Sequence, residues 1–400
     1  MRIHSKILGL AALAAVATLS ATDRATVAAP TSAPGHYACT IPTAPAATND
    51  QTAWQLFVAI NCVQPGGKPL WATWIEQSQL YPADGKIALH LLANNGPHLH
   101  GSVLAAIRRA TRARGGVAQL ASAPGTCSNM AITPKNVLSG AQICEEVYIN
   151  PAAQAAIQGP GYNIRTAQMN AAKAGKKISF PDPAIEVKVD WLPAADFAQA
   201  PFACDGSTKN LYTQNVGGQC YALVAMHITS KLLPNWLWTT FEPQDANTNP
   251  FRCFIYGPCL DSWGATPASA SGPGSVTTMT TALQALFQAA ALPATLQNYR
   301  LDVAQSEFTT SDGKPIVAGN SITEYEAAGT PMNQSSCITC HSMSSVNAKG
   351  TDGASLFAIH PAPMGPAVVL PKGFITRGFL WSLGLACPDP TKTGLQTCKP

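Results

Sequence analysis

A histidine directly behind two cysteines three residues apart, Cys337-Ile338-Thr339-Cys340-His341, narrows what this chain can be more than any other stretch. Cysteines at that spacing share one helical turn, and the histidine follows on the same side. The pattern is that of covalent haem attachment. Each thiol forms a thioether to one porphyrin vinyl group, and the imidazole becomes the proximal iron ligand. The expectation is one covalent haem c on Cys337 and Cys340, with His341 on the iron. A zinc knuckle needs a second ligand pair at short spacing, and none follows. A thioredoxin-like pair belongs to a βαβ setting that the flanking residues do not offer. An ordinary disulfide between the two thiols is the remaining plain alternative.

The N-terminus fits the same chemistry. Met1-Arg2-Ile3-His4-Ser5-Lys6 is charged, and Ile7 to Leu19 is apolar and alanine-rich. That is a secretory signal, too short to remain as a membrane anchor. The cleavage point stays open between Ser20-Ala21 and Val27-Ala28-Ala29, with Pro30 disfavouring the latter. The expectation is bacterial export to the periplasm or medium, with no integral membrane segment after cleavage.

Twelve cysteines are present; setting aside the motif pair leaves Cys39, Cys62, Cys127, Cys144, Cys204, Cys220, Cys253, Cys259, Cys387 and Cys398. An even remainder in an exported chain predicts disulfides, whose connectivity spacing alone does not fix. Neighbour pairing (39–62, 127–144, 204–220, 253–259, 387–398) closes short loops and is the default. Charged residues make up only 12%, and the net charge of +4 falls to about +2 without Arg2 and Lys6. Nothing there calls for nucleic acid. The partner expected is a redox protein or a small oxidisable molecule.

Taken in order, residues 1–29 read as signal and leader. Asn49-Asp50 can cap a helix carrying Trp54, Phe57, Val58 and Ile60. Lys86 to Leu92 reads as a strand, Val103 to Arg114 as a short basic helix, and 120–143 as irregular. Pro151 to Ile157 and Ile164 to Lys173 are short helical stretches. Ala184 to Trp191 alternates polar with apolar, and Tyr221 to Ser230 and Trp236 to Phe241 are further strands. Gly264 to Ser275 is linker-like, extending to 277. Thr278 to Ala291 is an amphipathic helix. Tyr299 to Phe308 alternates again, Ile322 to Ala328 leads to the motif, and Phe374 to Leu383 reads as a strand. The fold class is α+β: an antiparallel β-sheet core with peripheral short helices, loop-rich and disulfide-stapled, the motif on a late short helix. A body over 30–263, the linker 264–277 and a C-terminal segment 278–400 are expected to pack as one unit.

Other residues carry weaker signals. His98 and His100 form an H-x-H loop pair, and Arg108 with Arg112 share a helix face that could meet haem propionates or an acidic partner. The sixth iron ligand has candidates in Met343, His360, Met364, Met332, Met226 and His227. Met364, between Pro363 and Gly365-Pro366, is held in a stiff loop and is the first methionine choice. His227 sits in a strand that reads as buried, where an imidazole needs a partner or a metal. A strong sixth ligand suits electron transfer; an open site suits a haem enzyme or a gas sensor.

The stretches Trp54-Gln55-Leu56-Phe57, Trp71-Ala72-Thr73-Trp74 and Met226-His227-Ile228-Thr229-Ser230-Lys231 with Trp236-Leu237-Trp238 resemble exported bacterial proteins of the cytochrome c family that carry a single late C-x-x-C-H. That resemblance implies bound haem and little more. At lower resolution the chain also resembles small periplasmic haem proteins built on an antiparallel sheet. Some of these crosslink a lysine to the porphyrin and oxidise small nitrogen compounds, a role that would fall to Lys231 or Lys314. The first-choice function is one-electron transfer by an exported monohaem protein. The competing class is a haem enzyme of oxygenase or peroxidase type with an open distal site.

Overall fold

The structure, a computed structural model, describes residues 39–81, 127–129, 137–138, 141–216, 218–244, 259–270, 276–321, 323, 335–353, 356 and 364–386. The signal and leader, the 86–92 strand, His98 and His100, the helix with Arg108 and Arg112, Met332 and His360 lie outside them. So do Cys253, Cys387 and Cys398. The described residues belong to one compact unit spanning 34–400.

Its strands are β1 (Ile75–Glu76), β2 (Cys127–Asn129), β3 (Gln142–Ile149), β4 (Ile185–Pro193), β5 (Thr213–Val216), β6 (Gln219–Ser230) and β7 (Leu237–Pro243). Then follow β8 (Cys259–Leu260), β9 (Ala265–Thr266), β10 (Ser269–Ala270), β11 (Thr278–Met279), β12 (Tyr299–Gln305), β13 (Ser345–Asn347) and β14 (Phe374–Thr376). The main sheet runs β1-β3-β4-β6-β7-β12, with β2 on β3 and β5 on β6. Every pairing between strands is antiparallel. The linker-like stretch contributes β9, which pairs β11, and β10, which pairs β8.

Register divides the sheet into two unlike faces. Val187 faces Ile228, Val189 faces Met226, and Met226 faces Phe241. This apolar side meets the first helix, Asn49–Asn61, through Trp54, Phe57 and Leu56, all fully buried. Phe57 and Phe241 rings lie 4.4 Å apart, and Trp54 packs edge-on against Phe241 and Phe287. The cap of that helix is Thr48, whose hydroxyl accepts the Gln51 N–H, rather than the expected Asn49-Asp50. Asp50 instead accepts the Ser262 N–H and hydroxyl.

The opposite face is polar and nevertheless buried. Glu186 pairs Thr229, which pairs Trp238; Lys188 pairs His227, which pairs Thr240; Asp190 and Glu242 continue the rows. An antiparallel sheet ordinarily gives such a face to water. Here the chain after β12 covers it, bond by bond. Ser382 donates to Glu186 at 2.6 Å, Thr323 to Asp190 at 2.7 Å and Asn320 to Thr240 at 3.1 Å. Ser321 donates its N–H and hydroxyl to Glu242. Gln305 donates to the Ser336 hydroxyl at 2.9 Å and accepts the Ile338 N–H at 3.3 Å. Buried polar groups that find partners in this way cost little; without them each would be strongly unfavourable.

Several sequence expectations change. Residues 120–143, read as irregular, include β2 and the start of β3. The helix expected from Thr278 begins at Thr281, because Thr278–Met279 are paired as β11 and Thr280 supplies the cap. The strand expected over Phe374 to Leu383 stops at Thr376. A reverse turn at 377–380 and a 3₁₀ helix, Trp381–Leu385, replace the rest. Trp236 precedes its strand, in a left-handed backbone conformation with φ 65°.

Disulfides join Cys39 to Cys62 and Cys204 to Cys220, both neighbour pairs. Cys144, opposite Cys127 in register, and Cys259 are also disulfide-bonded. Each bridge restricts the unfolded chain, by about 2–4 kcal/mol. Among the described residues no helix is long and apolar enough to cross a membrane.

Candidate cofactor site

The motif forms its own short helix, Cys337–Ser342. At 100° per residue, Cys337, Cys340 and His341 fall within an arc of about 100°. Ile338 is buried among Trp236, Trp238 and Leu383 and fixes the helix on the sheet. Thr339, turned about 160° from His341, donates its hydroxyl to the Gly365 carbonyl at 2.7 Å. The helix is therefore held on its far sides, with the two thiols and the imidazole sharing the remaining one.

Both thiols are half-buried and neither is in a disulfide. Cys337 donates weakly to the Ala318 carbonyl at 3.4 Å. Six other described cysteines (39, 62, 144, 204, 220 and 259) are oxidised.

His341 is the best-defined group. Its Nδ1 lies 2.7 Å from the Phe379 carbonyl oxygen. A carbonyl only accepts, so Nδ1 carries the proton. The neutral ring then presents a lone pair at Nε2. Burial pushes the imidazole down to about 3, the Phe379 bond opposes this, and nearby Lys188 and His227 add to the fall. Across physiological pH the ring is thus neutral, the form that binds a metal. A ligating histidine characteristically donates its second N–H to a carbonyl in this way. The Trp238 ring packs against the imidazole, centroids 4.4 Å apart.

Phe379 is held by strained backbone. Leu380 N–H points to the Arg377 carbonyl at 3.5 Å, with Gly378 at φ 65° and Phe379 at φ 72° between them. Two left-handed residues make this a type I′ turn. Gly378 suits it twice over, since a Cβ there would lie 2.8 Å from the Phe180 ring and 3.0 Å from the Ile178 carbonyl. Phenylalanine at such a φ is unusual and costs energy. The turn is anchored by Arg377 N–H to Ser344 O at 2.9 Å and by Ser344 hydroxyl to Leu380 O at 2.7 Å. The Arg377 guanidinium is wholly buried and donates to Gln168 at 2.9 Å and Asp352 at 2.7 Å.

Of the sixth-ligand candidates, His227 lies on the buried polar face of β6, and a charge on it would disfavour protonation of His341. Burial holds His227 well below its ordinary value; Lys188 adds to the effect and Glu145 works against it. Met226 points the other way, into the apolar core, where Asn61 contacts its sulfur at 3.6 Å. Met343 ends the motif helix and is fully buried. Met364 is half-buried. Its neighbour Gly365 binds Thr339, on the helix side turned from His341. Lys231 donates to the Leu233 carbonyl, and Lys314 pairs with Asp312 at the surface. Among the described residues no three His, Cys, Asp or Glu side chains converge to hold a metal ion. Sequence reasoning gave no site role to Phe379, Trp238 or Lys188, although Trp238 stands in a stretch that carries the family resemblance and Gly378 marks the turn.

No protein-family model matches this chain, and neither a curated protein nor a solved structure matches it significantly.

Proposed function

We propose that this chain is an exported haem c protein, kin to the bacterial cytochrome c family, that passes one electron at a time. Cys337 and Cys340 would carry the thioethers and His341 Nε2 the iron. The observation that supports this most is the Nδ1–H bond from His341 to Phe379, which leaves Nε2 as a lone-pair donor beside two thiols. The thiols remain reduced in a chain that oxidises six other cysteines. The haem would supply a reversible ferric–ferrous couple. The protein's own part is to fix the imidazole tautomer through Phe379 and to shield its ring with Trp238; His227 or Met364 would supply a sixth ligand. The disulfides fit an oxidising compartment.

A second reading, a haem enzyme with an open distal position, draws on the buried Glu186 and His227 with the half-buried Lys188 beside them. Electron transfer alone needs no such groups.

The test is export of the protein with haem-attachment machinery, then mass measurement after denaturation and optical spectra of the reduced form with and without carbon monoxide. Electron transfer predicts covalent haem and a low-spin spectrum indifferent to carbon monoxide. Ready carbon monoxide binding moves the reading to the enzyme. Absence of covalent haem overturns both.

A further inference from the structure

Three non-glycine residues among those described have positive φ: Trp236, Ala291 and Phe379. Ala291 follows the end of the helix Thr281–Ala289, an ordinary place for it. The other two are aromatic, and both pack on one ring, that of Trp238. Trp236 lies 6.4 Å from it and Phe379 6.2 Å, centroid to centroid. A third restraint is the Trp238 indole N–H, which donates to the Asn235 carbonyl at 3.0 Å. Strained backbone persists where the surroundings hold it and gathers at working sites. Here it is spent on immobilising one indole, and that indole lies against His341.

The Phe379 bond leaves His341 one soft motion, rotation of the ring about the line through Nδ1 and the carbonyl. The Trp238 ring, tilted 48° to the imidazole, blocks it. We infer that Trp238 is a positioning residue: it sets the plane of the His341 imidazole and thereby the electronic environment of the iron. The inference rests on the haem reading above. Orientation of a ligand ring by its neighbours tunes a metal's properties without touching the metal.

The experiment uses the full exported protein loaded with haem. Electron paramagnetic resonance of the oxidised form and the midpoint potential are measured for the parent, Trp238→Leu, Trp238→Phe and Ile157→Ala. Ile157 is fully buried in the same apolar cluster and serves as a control for loss of packing. Trp238→Leu should keep covalent haem while its g values shift and broaden and its potential moves. Trp238→Phe, which keeps a smaller ring, should shift less. Ile157→Ala should lower thermal stability and leave both signals in place. Unchanged signals in Trp238→Leu, or an equal shift in Ile157→Ala, overturn the inference. If Trp238→Leu does not fold, Trp238→Phe decides: a shift absent from Ile157→Ala supports the role, and none refutes it. Absence of covalent haem from the parent refutes the haem reading itself, and this inference falls with it.

Discussion

His341 Nδ1 and the Phe379 carbonyl oxygen lie 2.7 Å apart, and Phe379 reaches that position only with its φ at 72°. A residue thirty-eight positions downstream thus determines which nitrogen of the motif histidine is free. The neighbouring glycine makes this possible. Gly378→Ala would drive a Cβ into the Phe180 ring and the Ile178 carbonyl at an unfavourable φ. We expect a loss on the order of 2–3 kcal/mol, read as a lower thermal midpoint.

Glu186 offers a pH test. Burial pushes its carboxyl from 4.5 up to about 7, while the Ser382 hydroxyl bond and Lys188 pull it down. The folded state therefore prefers the protonated acid. Its stabilising effect is complete below the unfolded value and is lost as pH rises through the window from 4.5 to about 7. That loss amounts to on the order of 3 kcal/mol. Glu76, also raised to about 7 by burial, adds a slope of the same sign. Urea midpoints across this range should fall with pH, and less steeply in Glu186→Gln. Equal slopes in parent and variant would refute the assignment.

Asp352 receives both Arg165, at 3.2 Å, and the fully buried Arg377, at 2.7 Å. Asp352→Asn leaves the Arg377 charge buried without its counter-ion, a change worth about 3–5 kcal/mol. Because Arg377 anchors the Phe379 turn, the variant should also load haem less completely. Denaturant unfolding and haem content would check the two effects separately.

The proposed sixth ligand can be tested by substitution. His227→Ala should render the reduced, haem-loaded protein able to bind carbon monoxide, whereas Met364→Ala should leave its spectrum as it was. The reverse pattern would transfer the role to Met364.

The sheet was largely legible because its strands alternate or run apolar, as in Ile185–Pro193 and Gln219–Ser230. Strand β3 escaped notice because Glu145 and Glu146 stand side by side and break the period. Glu146 faces the apolar side, where Tyr148 and Trp191 each donate to it at 3.2 Å. The run Phe379-Leu380-Trp381 looks like strand, and the turn that ends it rests on a single glycine. Cys337, Cys340 and His341 stood out through spacing alone. Trp238 and Phe379 did not, since one contributes a ring from β7 and the other a backbone carbonyl, and neither kind of contact leaves a mark in residue type.

The C-terminal cover has a consequence for the order of assembly. The strands β3, β4, β6, β7 and β12 are neighbours in the sheet in nearly the order in which they occur in the chain. Such local pairing closes early. The motif follows the last of these strands by some thirty residues, within a cover whose Ser321, Thr323 and Ser382 dock on Glu242, Asp190 and Glu186 of the sheet. On the haem reading proposed above, an intermediate with a finished sheet and an undocked tail would leave Cys337, Cys340 and His341 open to attachment machinery. Maturation and final closure would then be a single event, with the cofactor entering as the polar face is shut away from water.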